Sequence, residues 1–180
     1  SDLGCYAAAA DLSEAGHRVR FWRRDADAMR SLAARGVITL KDSGGVREVP
    51  VHALCTDIGE AVRGAELLVL PTPATAQSDI ARQIAPYLSD DQVVFLAPGT
   101  FGAFIMPRLA RQAGSRARVA WAETGTLPYL ARKHGPHEVN VTIRALRLPT
   151  GVYPARRADQ ALAVIRSAYP AVHACGDALS

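Results

Sequence analysis

Two four-residue apolar runs, Leu67-Leu68-Val69-Leu70 and Val93-Val94-Phe95-Leu96, are each followed at once or nearly so by a proline, Pro71 and Pro98. Runs too short for a helix and apolar at every position read as strands buried on both faces, as in parallel sheets covered by helices. The surrounding sequence alternates to match. Helical composition covers residues 5–15, 25–35, 57–63, 78–87, 103–112 and 158–168, and strand patterning covers 17–22, 37–40, 46–51, 119–122, 138–145 and 147–153. Gly16 and Gly36 sit where helices stop, Asp25 where one starts, and residues 41–45 form the turn of a hairpin. Helix–strand alternation over the first 120 residues predicts βαβ units in a doubly wound α/β domain. In the last third, 147–153 is expected to pair with 138–145 as a mixed continuation.

At 180 residues the chain is sized for one domain, and residues 1–180 are read as one. It begins on a helix with no strand to feed it, and it ends on Asp177-Ala178-Leu179-Ser180 without punctuation. The expectation is therefore a segment of a longer polypeptide, with the first strand upstream of residue 1. With 49% hydrophobic residues the composition is that of a globular protein. No apolar run approaches the roughly 20 residues a membrane span needs, and Ser1-Asp2-Leu3-Gly4 lacks a basic leader. No membrane association is expected.

The formal charge is +4, yet the basic residues are scattered, Lys41 and Lys133 being the lysines. Arg23-Arg24 and Arg156-Arg157 are too short for a basic arm, so nucleic acid is not an expected partner, and a small anionic ligand suits the surplus. Cys5, Cys55 and Cys175 are far apart and form no CxxC pair. They read as small buried apolar residues in a reducing, cytoplasmic compartment, with no metal site.

Gly4 followed by Ala8 fits the third glycine and the packing alanine of a Gly-x-Gly-x-x-Gly dinucleotide loop, with Ser1 at the second glycine position. Backbone N–H groups of Asp2, Leu3 and Gly4 would then face a pyrophosphate at the helix N-terminus. The alternative is a plain Ala-rich helix start. The following strand ends at Arg23, with Arg24 next. An arginine at that place accommodates the 2′-phosphate of NADP, where an acidic residue would bind the ribose hydroxyls of NAD. NADPH/NADP is the expected cofactor, with NAD less favoured; two solvated arginines are the alternative. The loops Pro71-Thr72-Pro73 and Pro98-Gly99-Thr100 close two more strands, and Glu123 ends a third. Ligands of open α/β sheets bind beyond such carboxyl ends, so these residues are read as cofactor-binding, against tight turns and a surface or capping carboxylate. The fold is thus a Rossmann-type, mostly parallel sheet. The five histidines form no cluster, and no catalytic residue is assigned.

The ordered set Gly4-Cys5-Tyr6-Ala7-Ala8-Ala9-Ala10-Asp11-Leu12 with Gly16-His17-x-Val19, Thr72-Pro73-Ala74, Pro98-Gly99-Thr100-Phe101-Gly102-Ala103-Phe104 and Ala122-Glu123-Thr124-Gly125-Thr126-Leu127-Pro128-Tyr129-Leu130-Ala131-Arg132 resembles the octopine/nopaline (opine) dehydrogenase family. The hairpin at 37–51 resembles an insertion found there. The resemblance implies an NAD(P)-dependent oxidoreductase that condenses an amino acid with a 2-oxo acid and delivers hydride to the imine carbon. It implies a catalytic His in a following helical domain, which none of the histidines here matches. A homodimer is the assembly considered. Other readings are a glycerol-3-phosphate or 2-oxopantoate reductase-type enzyme, a non-catalytic NAD(P)-sensing module, and a Rossmann-like interaction domain that binds no nucleotide.

Overall fold

The computed structural model describes residues 2–175 and divides into two compact units. Unit 1 runs to Ala61 and takes in Tyr129–Arg144. Unit 2 comprises Val62–Pro128 and the described residues from Ala145 onward.

Unit 1 is built around α1 (Asp2–Glu14). Tyr6, Ala7, Ala8, Ala9 and Ala10 are all buried, so the helix is enclosed rather than laid on a surface. Alanine makes this feasible, because small side chains let neighbouring strands approach from several directions. Beyond the left-handed Gly16, β1 (Arg20–Trp22) pairs in parallel with β4 (Ala53–Cys55). α2 (Ala26–Arg35) starts at Asp25, whose Oδ1 accepts from the Ala28 N–H at 2.9 Å, and stops at the left-handed Gly36. The hairpin of β2 (Val37–Asp42) and β3 (Gly45–Pro50) stands as expected. It belongs to a four-stranded sheet ordered β3-β2-β9-β8, with β8 (Tyr129–Gly135) and β9 (Glu138–Arg144) antiparallel to each other. α3 (Ile58–Val62) ends at the unit boundary, with Asp57 Oδ1 accepting from the Glu60 N–H.

A carboxylate–guanidinium network ties unit 1 together. The Asp42 side chain, only 6% exposed, accepts from Arg47 Nη1 and Nη2 at 2.8 and 3.0 Å, from Arg144 Nη2 at 2.8 Å and from the Gly44 N–H at 2.8 Å. Arg144 Nε also donates to Asp11 Oδ1 at 2.7 Å, Tyr129 Oη to Asp11 Oδ2 at 3.0 Å, and Arg47 pairs with Glu14. The hydrogen bonds from Arg47 hold the Asp42 carboxyl far below the usual carboxylate range, and those from Arg144 and Gly44 add to the effect. Glu14 is lowered by Arg47 as well.

Unit 2 is a five-stranded sheet ordered β11-β10-β7-β6-β5, made of β5 (Leu67–Leu70), β6 (Val93–Leu96), β7 (Ala120–Thr124), β10 (Leu148–Tyr153) and β11 (Val172–Ala174). Every neighbouring pair is parallel except β7 with β10. All four residues of β6 are buried. Phe95 meets the Tyr169 ring at 5.6 Å while Leu96 packs at Gly102, so successive side chains fill opposite faces of the sheet. α4 (Ala74–Ile84), α5 (Gly102–Gln112) and α6 (Ala158–Ala168) complete the unit.

The parallel-rich α/β expectation holds, and several details change. β5 is half-buried rather than fully buried, because it is an edge strand with a neighbour on one side only. Residues 148–153 do not pair with β9. They join β7 and β11, and β9 pairs instead with β8 and, in parallel, with β2. β4, β8 and β11 were not anticipated, and α4 begins at Ala74 rather than residue 78.

Asp42→Asn should cost about 2 kcal/mol by urea denaturation at neutral pH, since two arginines lose a buried counter-charge. The depressed Asp42 and Glu14 contribute stability that is complete above the ordinary carboxyl pKa and is lost as pH falls below about 4. The wild-type stability curve should therefore fall on its acid limb, and the Asp42→Asn curve should fall less steeply there.

Candidate functional site

The sequence-selected residues fall into two groups, one in each unit. In unit 1, Leu3 and Gly4 lie in the first turn of α1 and are half-buried, and Asp2 opens the helix. Ser1 lies outside the described residues. Arg23 and Arg24 directly follow β1. Arg23 Nη1 donates to Tyr6 Oη at 3.3 Å, and its guanidinium carbon lies 5.2 Å from the Tyr6 ring centroid. Tyr6 is fully buried, and its ring is set edge-on to Phe21 of β1 at 5.2 Å. The end of the strand and the first turns of the helix are thus joined through one aromatic side chain. A second cation reaches the same ring: Lys133 Nζ of β8 is 4.7 Å from its centroid. Reading the sequence missed Lys133 and Tyr6. The alternation Tyr129-x-Ala131-x-Lys133 was the available signal for β8, and its partners 118 or more residues away were not.

In unit 2 the three strand ends stand level. Leu70 pairs with Leu96, and Leu96 with Glu123, so Pro71-Thr72-Pro73, Pro98-Gly99-Thr100 and Glu123 share the carboxyl rim of one parallel array. The Gly99 N–H donates to the Thr124 carbonyl at 2.9 Å. Glu123 Oε2 accepts the Ala103 N–H at 2.9 Å, which makes it the cap of α5. That cap is needed because the preceding residue, Phe101, is a left-handed, 61% exposed aromatic with no capping side chain of its own. A Cβ on Gly99 would overlap the Glu123 side chain, so this glycine leaves room for the cap. A Cβ on Gly102 would lie 2.5 Å from Gln77 Oε1.

Two polar atoms here are buried without a partner among the described residues, Thr72 Oγ1 and Gln77 Nε2. A hydroxyl and an amide N–H at a sheet's carboxyl rim suit a carboxamide, which offers both an acceptor and a donor. In unit 1, α1 N-terminal donors beside a guanidinium and an ammonium suit phosphate groups. Taken unit by unit, the donors of unit 1 suit a phosphate and the rim groups of unit 2 suit a carboxamide, both of which are chemical parts of a nicotinamide dinucleotide. Burial pushes the Cys55 thiol up, so it is no nucleophile at neutral pH. Among the described residues no cluster of three or more His, Cys, Asp or Glu side chains could hold a metal ion, and no helix is long and apolar enough to cross a membrane. Three histidines have structural contacts: His52 with Arg18 at 3.3 Å, His137 with Ser31 at 3.0 Å, and His173 with the Ala171 carbonyl at 3.4 Å.

These features define a Rossmann-like α/β fold, with parallel-rich sheets covered by helices. Residues 3–103 match the family model of the ketopantoate reductases, PanE/ApbA, and the chain belongs to that family. It is 32% identical over 168 residues to an opine dehydrogenase of Arthrobacter sp. (strain 1C), covering 93% of this chain and 46% of that one. The fold is similar to that of octopine dehydrogenase solved with NADH and pyruvate, with a TM-score of 0.79 and 20% identity over 98% of this chain and 48% of the other. It is similar also to yersinopine dehydrogenase with NADP+ bound, with a TM-score of 0.72 and 16% identity over 97% and 46% of the two chains. The chain thus spans about half the length of these relatives.

Gly99→Ala should destabilise the protein by about 1–3 kcal/mol through overpacking against Glu123. The Gly99→Ala/Glu123→Ala double variant should lose less stability than the sum of the two single losses, because the clash disappears with its partner. Denaturation midpoints of the four proteins check this, and strict additivity would show that the glycine serves something other than the cap.

Proposed function

We propose that the chain is the cofactor-binding part of an NADP(H)-dependent, opine dehydrogenase-like oxidoreductase that joins the amino group of an amino acid to a 2-oxo acid. The observation that carries the proposal is Arg23, which directly follows β1 and is held against the first turns of α1 through Tyr6. In unit 1 the N–H groups of Asp2, Leu3 and Gly4, with Ser1 beside them, take the pyrophosphate, and Arg23 and Arg24 take the 2′-phosphate. In unit 2, Pro71, Thr72, Pro73, Pro98, Gly99, Thr100 and Glu123 form the rim that receives the nicotinamide.

When bound, a reduced nicotinamide would supply hydride chemistry for reducing an imine of the two substrates. The chain's own residues bind and orient. Thr72 Oγ1 and Gln77 Nε2 offer hydrogen bonds that fix which ring face is presented. Pro71, Pro73 and Pro98 hold the loops in set conformations, so little entropy is lost when they close on a flat ring. Glu123 keeps the start of α5 in place through the Ala103 N–H. On this reading the proton-handling group is contributed from outside this chain.

A ketopantoate or glycerol-3-phosphate reductase-type activity is the second reading, favoured by the family model matched at residues 3–103. Residues 122–132 favour the opine reading. Turnover with NADPH of a 2-oxo acid that requires an amino acid co-substrate separates the two, since a ketopantoate-type reductase needs none.

Parallel titrations of the full-length protein with NADPH and NADH, followed through Trp22 at the end of β1, should show tighter NADPH binding. Arg23→Asp should weaken NADPH by more than tenfold, about 1.4 kcal/mol, with little effect on NADH. An unchanged NADPH/NADH ratio in that variant would remove Arg23 from the site. Replacing any of the five histidines by alanine should leave kcat of the full-length enzyme within about threefold. A loss of roughly 100-fold, the size of a general acid–base contribution, would place the catalytic group in this chain.

A further inference from the structure

Lys133 has a position that its place in the sequence does not suggest. β8 runs alongside α1: Tyr129 is anchored to Asp11 at 3.0 Å, and four residues later Lys133 reaches Tyr6. Four strand residues span about 13 Å, and the five helical residues from Asp11 back to Tyr6 span about 7.5 Å. The strand therefore carries Lys133 past the middle of α1 toward its N-terminal turns, where the loop donors lie. Among the described residues the Lys133 ammonium is exposed and makes no ion pair, its contact being the face of the Tyr6 ring. The Arg23 guanidinium lies over the same ring. Tyr6 is fully buried and braced by Phe21, so it is a rigid support for both cations.

Two like charges gathered on one ring repel each other, and an anion bound by both relieves that repulsion. A phosphate monoester carries about two negative charges and several acceptor oxygens, which suits one guanidinium and one ammonium. We infer that Lys133 is a determinant of cofactor choice: with Arg23 it grips the 2′-phosphate of the adenosine, from a strand 110 residues downstream of the arginine. This rests on the reading of the protein as an NADP(H)-binding oxidoreductase. A pyrophosphate is present in both NADPH and NADH, whereas the 2′-phosphate is present in NADPH alone, so comparing the two separates the possible targets of the lysine.

The test is calorimetric titration of the full-length protein with NADPH and with NADH, on wild type, Lys133→Gln, Lys133→Arg and Arg23→Gln. Circular dichroism and melting temperature check that each variant folds. The expected result is that Lys133→Gln weakens NADPH by about tenfold and NADH by less than about twofold, and that Lys133→Arg keeps most of the NADPH affinity. Equal weakening of both cofactors by Lys133→Gln assigns the lysine to the pyrophosphate or to the general field, and overturns the inference. So does an unchanged NADPH/NADH ratio in Lys133→Gln while Arg23→Gln loses it, an outcome that leaves the Arg23 reading standing. A wild type without NADPH preference overturns both.

Discussion

The buried Asp42 carboxylate is the point on which unit 1 depends. It lies at the end of β2, holds Arg47 of β3 and shares Arg144 of β9 with Asp11 of α1. A carboxylate so enclosed would destabilise the fold if left alone, and the two arginines are what make its burial tolerable. In return the network fixes three segments that are distant in the chain. It holds the hairpin on α1, brings β9 to the same helix and, through Tyr129 on Asp11, sets the line along which β8 lies. The position of Lys133 follows from that line.

Unit 2 reaches its geometry by other means. Its centre is dry and aromatic-aliphatic, with β6 buried along its whole length and Phe95 against Tyr169. What that core positions is a level row of strand ends with prolines, a glycine and one carboxylate. Glu123 shows how a residue at the carboxyl rim of a parallel sheet can serve the structure. Its Oε2 satisfies the start of α5, a helix that begins on an unfavourable left-handed phenylalanine. The requirement for Gly99 then follows from the cap.

The relationship to opine and octopine dehydrogenases was legible before the structure because the stretches at 98–104 and 122–132 are more than generic loop chemistry. Local punctuation was legible for the same reason that it works in any protein. Asp25 caps α2, Gly36 ends it, and the 41–45 turn closes a hairpin, each through contacts among near neighbours. Pairing partners were not. Residues 138–144 alternate cleanly and 148–153 follow them closely, and nothing local says that the second group joins β7 and the first β2 and β8. β8 was hidden for a related reason: its bulges near Leu130 and Lys133 break the regular register with its partner.

The sequence by itself determined the α/β class, the helix caps, the family resemblance and the candidate residues at Arg23-Arg24 and the proline-bounded loops. All of these are encoded by short-range chemistry: propensity, capping, steric limits at proline and glycine, and motif spacing. Only the tertiary structure decided which strands are neighbours, that Glu123 closes a helix, and that Lys133 shares an aromatic ring with Arg23. Those facts depend on contacts between residues 17, 20 and 127 positions apart. Such contacts are selected by the burial of whole faces and by the pairing of buried charge, and neither can be read from any one window of the chain.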